Sequence, residues 1–464
     1  MTLIKSISGI RGTIGGKANE GLTPLDIVKF TAAFSTFIKN RAKNKNIKIV
    51  VGRDARISGN MVNNIIVNTL VAMGIDVIDT GLSTTPTVEI AVCDSKADAG
   101  IIITASHNPM HWNALKLLNN NGEFVSDKEG KEIINIADNE NFEFADVQKL
   151  GKIITDNSYI DKHIDKILKL SLVDTEAIKK KKFKIAFDGV NSTGGIAIPK
   201  LLKALGVETV YTINCEPTGI FSHNPEPIPA NLVEISDTVK EKKADLGFVV
   251  DPDVDRLAII CENGEMFGEE YTLVAVSDYI LKNKKGNTVS NLSSTKALKD
   301  VTEKYGGNYF ASAVGEVNVV EMMKKQNAII GGEGNGGVIY PELHYGRDAL
   351  VGIALFLSHL ALSDKKCSEL RKTLPDYFIF KSKLKINSNI NIDAIINSIK
   401  EEYKNFKINT IDGIKIEFDN EWAHIRKSNT EPILRIYTES ETSEKAEILS
   451  KKIIDKINTI LKNS

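Results

Sequence analysis

Three carboxylates alternate along one short segment of this chain, and their spacing predicts a cation site. Asp251, Asp253 and Asp255 are separated by single residues, and Arg256 follows them. Side chains on extended backbone alternate in direction, so the three carboxylates project to one side. They would repel one another without a divalent cation, and hard oxygen ligands suit Mg²⁺. We therefore predict that these three aspartates bind magnesium.

Exposed acidic surface, a calcium loop and a phosphatase motif each fit the aspartate segment less well. Exposed surface is disfavoured because residues 247–250 and 257–260 on either side are apolar. A calcium-binding EF-hand needs glycine at the loop position where Arg256 stands, and it needs flanking helices rather than strands. In an Asp-x-Asp phosphatase the first aspartate is the nucleophile in an N-terminal unit, and Thr or Val usually stands where Asp255 does.

Residues 104–109 read Thr-Ala-Ser-His-Asn-Pro and contain the candidate nucleophile, Ser106. They follow the apolar residues 100–103, which predict a buried strand. A loop at the carboxyl end of a parallel strand lies where open α/β sheets bind ligands, and a serine hydroxyl there can be transiently modified. His107 and Lys116 nearby favour that role over an ordinary turn. A serine hydrolase is disfavoured because there is no Gly-x-Ser-x-Gly motif.

Three further segments have side chains suited to phosphates and sugars, although each could also be an ordinary turn. Arg11 stands between two glycines, and arginine recognises phosphate with a fork of donors. In the glycine-rich residues 331–337 the only polar side chains are Glu333 and Asn335, which suit adjacent sugar hydroxyls. Residues 426–432 combine two cations, two hydroxyls and an amide, which predicts a phosphate site.

The elements that must position these loops alternate between strands and helices. Thr23 and Pro24 predict the start of a helix, and residues 47–51 predict a strand. The alternation restarts near residues 183 and 272, so three α/β units with mainly parallel sheets are expected. From about residue 375 the order strand, helix, two or three strands, helix predicts a small α+β domain. The lysine run at residues 179–182 predicts a solvated linker.

Length and composition restrict the class of protein further. A chain of 464 residues is expected to have three or four domains. The net charge of -1 indicates neither a nucleic-acid nor a membrane partner. The four cysteines are far apart, which favours free thiols in a reducing cytoplasm over a zinc or disulfide framework. The apolar residues 349–362 are too few to span a membrane and predict a core helix. We expect a cytoplasmic protein.

Together and in this order, the motifs resemble the α-D-phosphohexomutase family over essentially the whole chain. The resemblance implies a four-domain α/β architecture around a central cleft, with three similar mixed α/β domains and a C-terminal α+β domain. The expected domains are residues 1–155 with the phosphoserine loop, 156–256 with the metal loop, 257–370 with the sugar-binding loop, and 371–464 with the phosphate-binding loop.

The resemblance also implies a role for each candidate residue. Ser106 matches the active-site phosphoserine and would add an oxygen to the three aspartate ligands of one Mg²⁺. The expected catalytic residues are Ser106, Arg11, Lys116 and His107. The expected substrate-binding residues are Arg256, Glu333, Asn335, Arg426, Ser428, Asn429 and Thr430, and Arg53 lies in a supporting loop. A hexose 1,6-bisphosphate activator is implied, and the protein is expected to be a monomer or homodimer.

The implied reaction moves a phosphoryl group between O6 and O1 of a hexose phosphate through a bisphosphorylated intermediate. Glucosamine 6-phosphate is the favoured substrate, and mannose and glucose phosphates are the alternative. A metal-dependent phosphatase is a remoter alternative, and a non-catalytic sugar-phosphate sensor would not need to keep both Ser106 and the aspartates. Many bacterial members have histidine where this chain has Gly337, which leaves the acid/base group open, with His344 as one candidate.

Overall fold

The computed structural model describes residues 2–6, 9–42, 46–385, 392–427 and 433–463. The strands up to residue 155 are β1 (Leu3–Ser6), β2 (Gly9–Thr13), β3 (Lys48–Arg53), β4 (Asp76–Leu82), β5 (Ala99–Ile103), β6 (Trp112–Leu118) and β7 (Ile153–Thr155). The helices of this segment are α1 (Pro24–Lys39), α2 (Gly59–Ala72), α3 (Thr85–Asp94) and α4 (Asp127–Asp138). The first helix begins as the sequence predicts, because Thr23 caps it and Asp26 completes a capping box.

The first sheet is mixed, with the strand order β1-β2-β6-β5-β3-β4-β7. Strands β5, β3, β4 and β7 run parallel, whereas β1, β2 and β6 pair antiparallel. Alternate residues of β3 enter different cores: Ile49 and Val51 pack with Phe34 of α1, and Val50 packs with Val88 of α3. Apolar side chains on both faces explain why β3 reads as one continuous hydrophobic run.

The next segment contains a four-stranded sheet. Its elements are α5 (Tyr159–Ile167), α6 (Thr175–Lys181), β8 (Lys184–Asp188), α7 (Gly194–Ala204), β9 (Thr209–Ile213), α8 (Val233–Lys242), β10 (Leu246–Val250) and β11 (Leu257–Cys261). The strand order is β11-β10-β8-β9, with β8 parallel to β9 and β10 and with β11 returning antiparallel to β10. The aspartate segment is therefore the connection between β10 and β11.

The linker predicted at residues 179–182 was wrong in its local structure. Its first three lysines form the last turn of α6, and Lys182 ends the helix in a left-handed conformation with φ 52°. The helix forms because Ile178 is buried, while cations at a helix C-terminus are favoured by the helix dipole.

The third segment has a four-stranded sheet and the predicted core helix. Its elements are α9 (Tyr271–Asn283), β12 (Asn287–Asn291), α10 (Ala297–Lys304), β13 (Tyr309–Ser312), α11 (Glu316–Gln326), β14 (Ala328–Glu333), β15 (Gly337–Ile339), α12 (Ala349–Ser363) and α13 (Cys367–Arg371). The strand order is β13-β12-β14-β15, and β12 is parallel to both β13 and β14. The core helix is confirmed as α12, whose first thirteen residues are buried. No helix in the described ranges is both long and apolar enough to cross a membrane.

The C-terminal segment is α+β, as predicted. Its elements are β16 (Phe378–Lys385), α14 (Ile392–Glu402), β17 (Lys407–Asn409), β18 (Ile414–Glu417), β19 (Trp422–Lys427), β20 (Ile433–Ser440) and α15 (Ser443–Asn463). The sheet is antiparallel in the order β16-β20-β19-β18-β17, and the short β17 is one strand more than the sequence predicted after α14. Ile399 and Ile453, from the two helices, share a core with Ile416 and Ile436 of the sheet.

The chain forms two compact units: Met1–Tyr279 with Asn335–Arg371, and Ile280–Gly334 with Lys372–Ser464. The first unit contains the Ser106 loop and the aspartate segment, and the second contains Glu333 and Arg426. The architecture of three mixed α/β segments and a C-terminal α+β segment confirms the expected fold class. The domain boundaries at residues 155, 256 and 370 stay a prediction.

Candidate active site

The aspartate segment is a buried turn at the carboxyl end of β10. Asp251, Asp253 and Asp255 are each fully buried, and ligand oxygens of all three lie within 4.8 Å of one another. Val254 has φ 64°, a left-handed conformation that is unusual for a β-branched residue. Asp251 Oδ1 stabilises this turn by accepting hydrogen bonds from the backbone N–H groups of Asp255 and Arg256, both at 3.2 Å.

Two carboxylate oxygens of this turn fit a bound cation. Asp253 Oδ1 and Asp255 Oδ1 are buried, and neither accepts a hydrogen bond from a donor in the described part of the chain. Arg256 Nε lies 3.9 Å from Asp255 Oδ1, which is too long for a hydrogen bond. Burial, together with the charges of Asp255 and Asp253, raises the pKa of Asp251 well above its usual range. A hard divalent cation would satisfy these costly buried oxygens, so the residues present fit Mg²⁺.

The structure brings Ser106 directly against this turn. Its hydroxyl donates a 2.8 Å hydrogen bond to Asp251 Oδ2, across 145 residues of sequence. Ser106 has φ 50°, and its N–H donates to the hydroxyl of Thr104 at 2.9 Å. A non-glycine residue held in the left-handed region is often part of a functional site. The predicted nucleophile and the predicted metal ligands thus form one site.

The side chain that holds the Ser106 loop is Arg56, which sequence reasoning did not single out. Its guanidinium is fully buried. It donates to five acceptors: the Asp54 carboxylate and the carbonyl oxygens of Ser106, Asn108, Pro109 and Trp112. Arg53, the supporting residue expected from the sequence, donates instead to the carbonyl oxygen of Asp54 at 3.2 Å. The Arg-Asp-Ala-Arg sequence that begins at the last residue of β3 could have indicated the role of Arg56.

Two of the predicted cations lie on strands beside the Ser106 loop. Lys116 of β6 places its ammonium 2.7 Å from Asp253 Oδ2 and 3.8 Å from Asp255 Oδ2. Burial opposes its charge, but the two aspartates outweigh burial and raise the pKa of Lys116. Arg11 of β2, the next strand, donates to Asn108 Oδ1 at 3.2 Å. Strands β2 and β6, which extend the sheet in antiparallel orientation, bring these two cations to the site.

The two histidines considered for proton transfer have pKa values shifted in opposite directions. His107 Nδ1 lies 3.4 Å from the Ser106 hydroxyl, and burial, followed by Arg256 and Arg11, lowers the pKa of His107 to about 2. His344 lies 3.2 Å from Glu89 and 3.3 Å from Asp348. Burial opposes charge on His344, but the nearby carboxylates of Asp348 and Glu89 raise its pKa to about 10. At neutral pH His107 is therefore neutral and a weak base, and His344 holds its proton.

The aspartate turn is also bound by two side chains that sequence reasoning missed. Thr85, at the start of α3, donates to Asp253 Oδ2 at 2.6 Å, and its N–H donates to the Asp253 carbonyl at 2.9 Å. Arg347, which precedes α12, donates to Asp255 Oδ2 at 2.7 Å. Both residues lie far from the turn in sequence. The Thr-Thr-Pro start of α3 was the one local feature that could have drawn attention to Thr85.

The sugar-loop and phosphate-loop residues divide between the two units. In the second unit Glu333 is buried and accepts from Asn291 Nδ2 at 2.9 Å and from the Gly315 N–H at 3.1 Å. In the first unit Asn335 Oδ1 is buried and accepts no hydrogen bond from the described residues. Arg426 stands near the end of β19 in the second unit. Ser428, Asn429 and Thr430 lie outside the described residues.

A serine hydroxyl on a buried carboxylate triad, flanked by lysine and arginine, is chemically suited to phosphoryl transfer, which depends on positioning and on charge stabilisation. Four domain families match the chain in order, all described as phosphoglucomutase/phosphomannomutase: alpha/beta/alpha domain I at residues 3–144, domain II at 161–264, domain III at 268–378 and the C-terminal domain at 383–456. The chain belongs to the phosphoglucomutase/phosphomannomutase family, which confirms the resemblance seen in the sequence.

Full-length relatives agree with this assignment. A phosphoglucomutase/phosphomannomutase of Thermococcus kodakarensis is 37% identical, over 94% of this chain and 95% of that protein. A phosphoglucosamine/phosphogalactosamine mutase of Sulfurisphaera tokodaii is 34% identical, over 93% of this chain and 94% of that protein. The chain is an isomerase that acts on hexose phosphates.

The fold is also that of a solved relative. The crystal structure of a phosphoglucomutase/phosphomannomutase family protein from Burkholderia thailandensis matches with a TM-score of 0.84. The match covers 99% of this chain and 97% of that one, at 24% sequence identity.

Proposed function

We propose that the protein is a phosphoglucosamine mutase in which Ser106 carries the transferred phosphoryl group. The observation that carries this proposal is the 2.8 Å hydrogen bond from the Ser106 hydroxyl to Asp251, inside a buried group of carboxylates and cations. Ser106 is only 6% exposed and sits on a loop held by Arg56, so its position is defined before substrate binds. Pre-organisation of this kind is the main requirement of phosphoryl transfer.

The reaction begins with phosphorylated Ser106. The bond from phosphorus to the serine oxygen breaks while a bond forms to the oxygen of the free sugar hydroxyl. The proton that this hydroxyl loses is balanced by the proton that the departing serine oxygen gains. The bisphosphorylated sugar reorients in the site, and its other phosphoryl group then returns to the serine oxygen. Arg11, Lys116 and Arg256 neutralise the charge on the transferring group, because their cationic groups lie around Ser106 and the aspartates.

Asp251, Asp253 and Asp255, with an oxygen of phosphorylated Ser106, would hold one Mg²⁺. When bound, the ion supplies positive charge that polarises the phosphoryl group. Burial opposes ionisation of Asp253, but the Lys116 ammonium at 2.7 Å outweighs burial and leaves the pKa of Asp253 below its usual range. Asp253 therefore stays ionised and aligned. A hexose 1,6-bisphosphate would load Ser106 with its phosphoryl group.

The remaining residues bind the rest of the substrate. Glu333 and Asn335 bind sugar hydroxyls, for which a carboxylate and an amide provide acceptors and donors. Arg426 binds the phosphate that is not being transferred, together with Ser428, Asn429 and Thr430. Arg53 supports the loop that contains Arg56. We further propose a cytoplasmic enzyme that acts as a monomer or homodimer.

The choice of glucosamine phosphate is supported by the Sulfurisphaera relative, whose name includes glucosamine and galactosamine phosphates. Mannose and glucose phosphates are the second candidate, because the Thermococcus relative at 37% identity is named for them. A phosphatase is disfavoured because the four matching domain families and both of these relatives are named as mutases.

A substrate comparison tests the proposal. Full-length protein with Mg²⁺ and a trace of the matching hexose 1,6-bisphosphate receives glucosamine 6-phosphate, mannose 6-phosphate or glucose 6-phosphate. We expect the highest kcat/KM for the amino sugar. Better turnover of mannose or glucose phosphate would select the second candidate, and phosphate release without isomerisation would refute a mutase.

The serine itself is tested with a matched pair of variants. Ser106→Ala should lower turnover by at least about 10⁴-fold, as removal of a nucleophile does in other enzymes. Ser95→Ala is the control, because the Ser95 hydroxyl donates to the Ala91 and Val92 carbonyls at the end of α3 and not to the aspartate turn. Full activity of Ser106→Ala would exclude the phosphoserine mechanism.

A further inference from the structure

Arg347 is a buried cation that contacts the aspartate turn from a distant part of the sequence. Its side chain is 9% exposed and lies 2.7 Å from Asp255 Oδ2, across 92 residues of sequence. Its positive charge also reaches His107 and Lys116, because it contributes to lowering the pKa of His107 and opposes the rise in the pKa of Lys116. Arg347 thus belongs to the same cationic group that surrounds Ser106.

Arg347 occupies this place because position 337 has no side chain. A Cβ atom built on Gly337 would lie 2.3 Å from Arg347 Cδ and 3.0 Å from Arg347 Cγ. Real Cβ contacts are essentially never shorter than 3.0 Å, so one of the two residues would have to move. Gly337 begins strand β15 and does not have a left-handed φ, so its backbone would accept another residue. The requirement for glycine comes from Arg347.

The backbone beside Arg347 is anchored by the next residue. Asp348 Oδ1 accepts from the N–H groups at the start of α12, from Leu350 at 2.8 Å and Val351 at 3.3 Å. Asp348 Oδ2 is 2.9 Å from His163 Nε2 and 3.3 Å from His344 Nε2. The two histidine contacts and the two backbone contacts together hold the segment from which Arg347 extends.

The contact leaves the two oxygens of Asp255 with different environments. Oδ2 is bound by Arg347, whereas Oδ1 accepts no hydrogen bond from the described residues. A carboxylate held by one oxygen cannot rotate freely, so its other oxygen keeps one direction. Partners of this kind behind a metal ligand typically change metal affinity or activity about 10- to 100-fold when removed.

We propose that Arg347 is a positioning residue that orients Asp255 toward the metal ion, and that Gly337 and Arg347 form a matched pair. The proposal rests on the proposed function for the identity of the aspartate turn as the magnesium site. Any side chain at position 337 displaces Arg347, and Asp255 then loses its orientation.

The first test measures Mg²⁺ binding to the full-length protein by calorimetry, without substrate. Arg347→Met removes the guanidinium and keeps most of the length, and it should weaken Mg²⁺ binding by about 10- to 100-fold. Arg347→Lys keeps a charged donor and should recover part of the affinity. Unchanged or tighter Mg²⁺ binding in Arg347→Met would overturn the proposal, because it would show that the cation does not assist the metal or competes with it for Asp255.

The second test measures the coupling between the two positions. Gly337→Ala should weaken Mg²⁺ binding nearly as much as Arg347→Met, and it should have no further effect in the Arg347→Met background. Gly352→Ala in α12 is the control, because the Cβ added there meets its nearest neighbour at an ordinary 3.4 Å. Additive effects of the two substitutions would refute the matched pair.

These outcomes are separate from those of the proposed function. Calorimetry with the metal alone does not require turnover, so a wild-type protein that binds Mg²⁺ but fails to isomerise hexose phosphates would contradict only the proposed function. A wild-type mutase whose Arg347 variants bind Mg²⁺ normally would contradict only the role of Arg347.

Discussion

Replacing Arg56 with lysine should destabilise the protein and disable the Ser106 loop, although the charge is kept. The Arg56 guanidinium uses all five of its N–H donors, two on the buried acceptors Asp54 and Ser106 and three on partly buried carbonyl oxygens. A lysine ammonium has three donors, so at least two acceptors lose their partner. Leaving a buried acceptor unsatisfied costs about 1–3 kcal/mol and a partly buried one costs less, so the expected loss is about 1–6 kcal/mol, depending on which two are released.

The consequence should extend from stability to turnover. The carbonyl oxygens bound by Arg56 include those of Ser106 and Asn108, so their release frees the loop that aims the Ser106 hydroxyl at Asp251. A nucleophile that moves by about 1 Å can lose about 100-fold in rate. We expect kcat to fall by at least that factor.

Equilibrium unfolding in urea, followed by circular dichroism, measures the first effect, and steady-state kinetics measure the second. Arg41→Lys is the control, because Arg41 donates from two nitrogens to Glu132 while its side chain is 43% exposed. An exposed pair contributes no more than about 1 kcal/mol. If Arg56→Lys and Arg41→Lys change the unfolding free energy equally, the reasoning from buried hydrogen bonds is refuted.

Three other substitutions probe the charged groups of the site. Because the pKa of His344 rises from 6.5 to about 10 on folding, its stabilising contribution is complete below pH 6.5 and is lost as the pH rises through about 10. In urea unfolding, the unfolding free energy of His344→Gln should therefore decline less steeply than that of the wild type between these pH values. An equal decline in both proteins would contradict this prediction. Lys116→Met leaves Asp253 buried without its cation and should lower the unfolding free energy by about 3–5 kcal/mol, so a urea midpoint equal to that of the wild type would count against the ion pair. Arg426→Ala should raise KM about 10-fold or more with a smaller change in kcat, and an unchanged KM would remove this residue from the phosphate site.

Much of the site could be predicted from the sequence because its chemistry lies in short, continuous segments. The spacing of the three aspartates and the apolar strands around them were enough to indicate a metal site. The extended backbone assumed for them was wrong, because a buried turn with Val254 in the left-handed region brings their oxygens together. Ser106 needs only the strand before it. These features are local, and local patterns of apolar and polar residues determine strands, helices and the loops that join them.

Long-range contacts could not be predicted in the same way. Arg53 and Arg56 lie close together at the end of β3 and look equivalent in sequence, yet only Arg56 turns inward to bind the Ser106 loop. The choice depends on the direction in which β3 delivers each side chain and on what packs against it. The same holds for Thr85, which reaches Asp253 across 168 residues of sequence.

Gly337 shows most clearly what the sequence determined and what only the tertiary structure determined. The sequence by itself determined the order of strands and helices, the candidate nucleophile, the candidate metal ligands and the unusual glycine in the sugar-binding loop. Only the tertiary structure decided why that glycine is there, because the space that its side chain would fill belongs to Arg347. Periodicity is a property of neighbouring residues, whereas exclusion of one side chain by another depends on which distant segments the fold packs together.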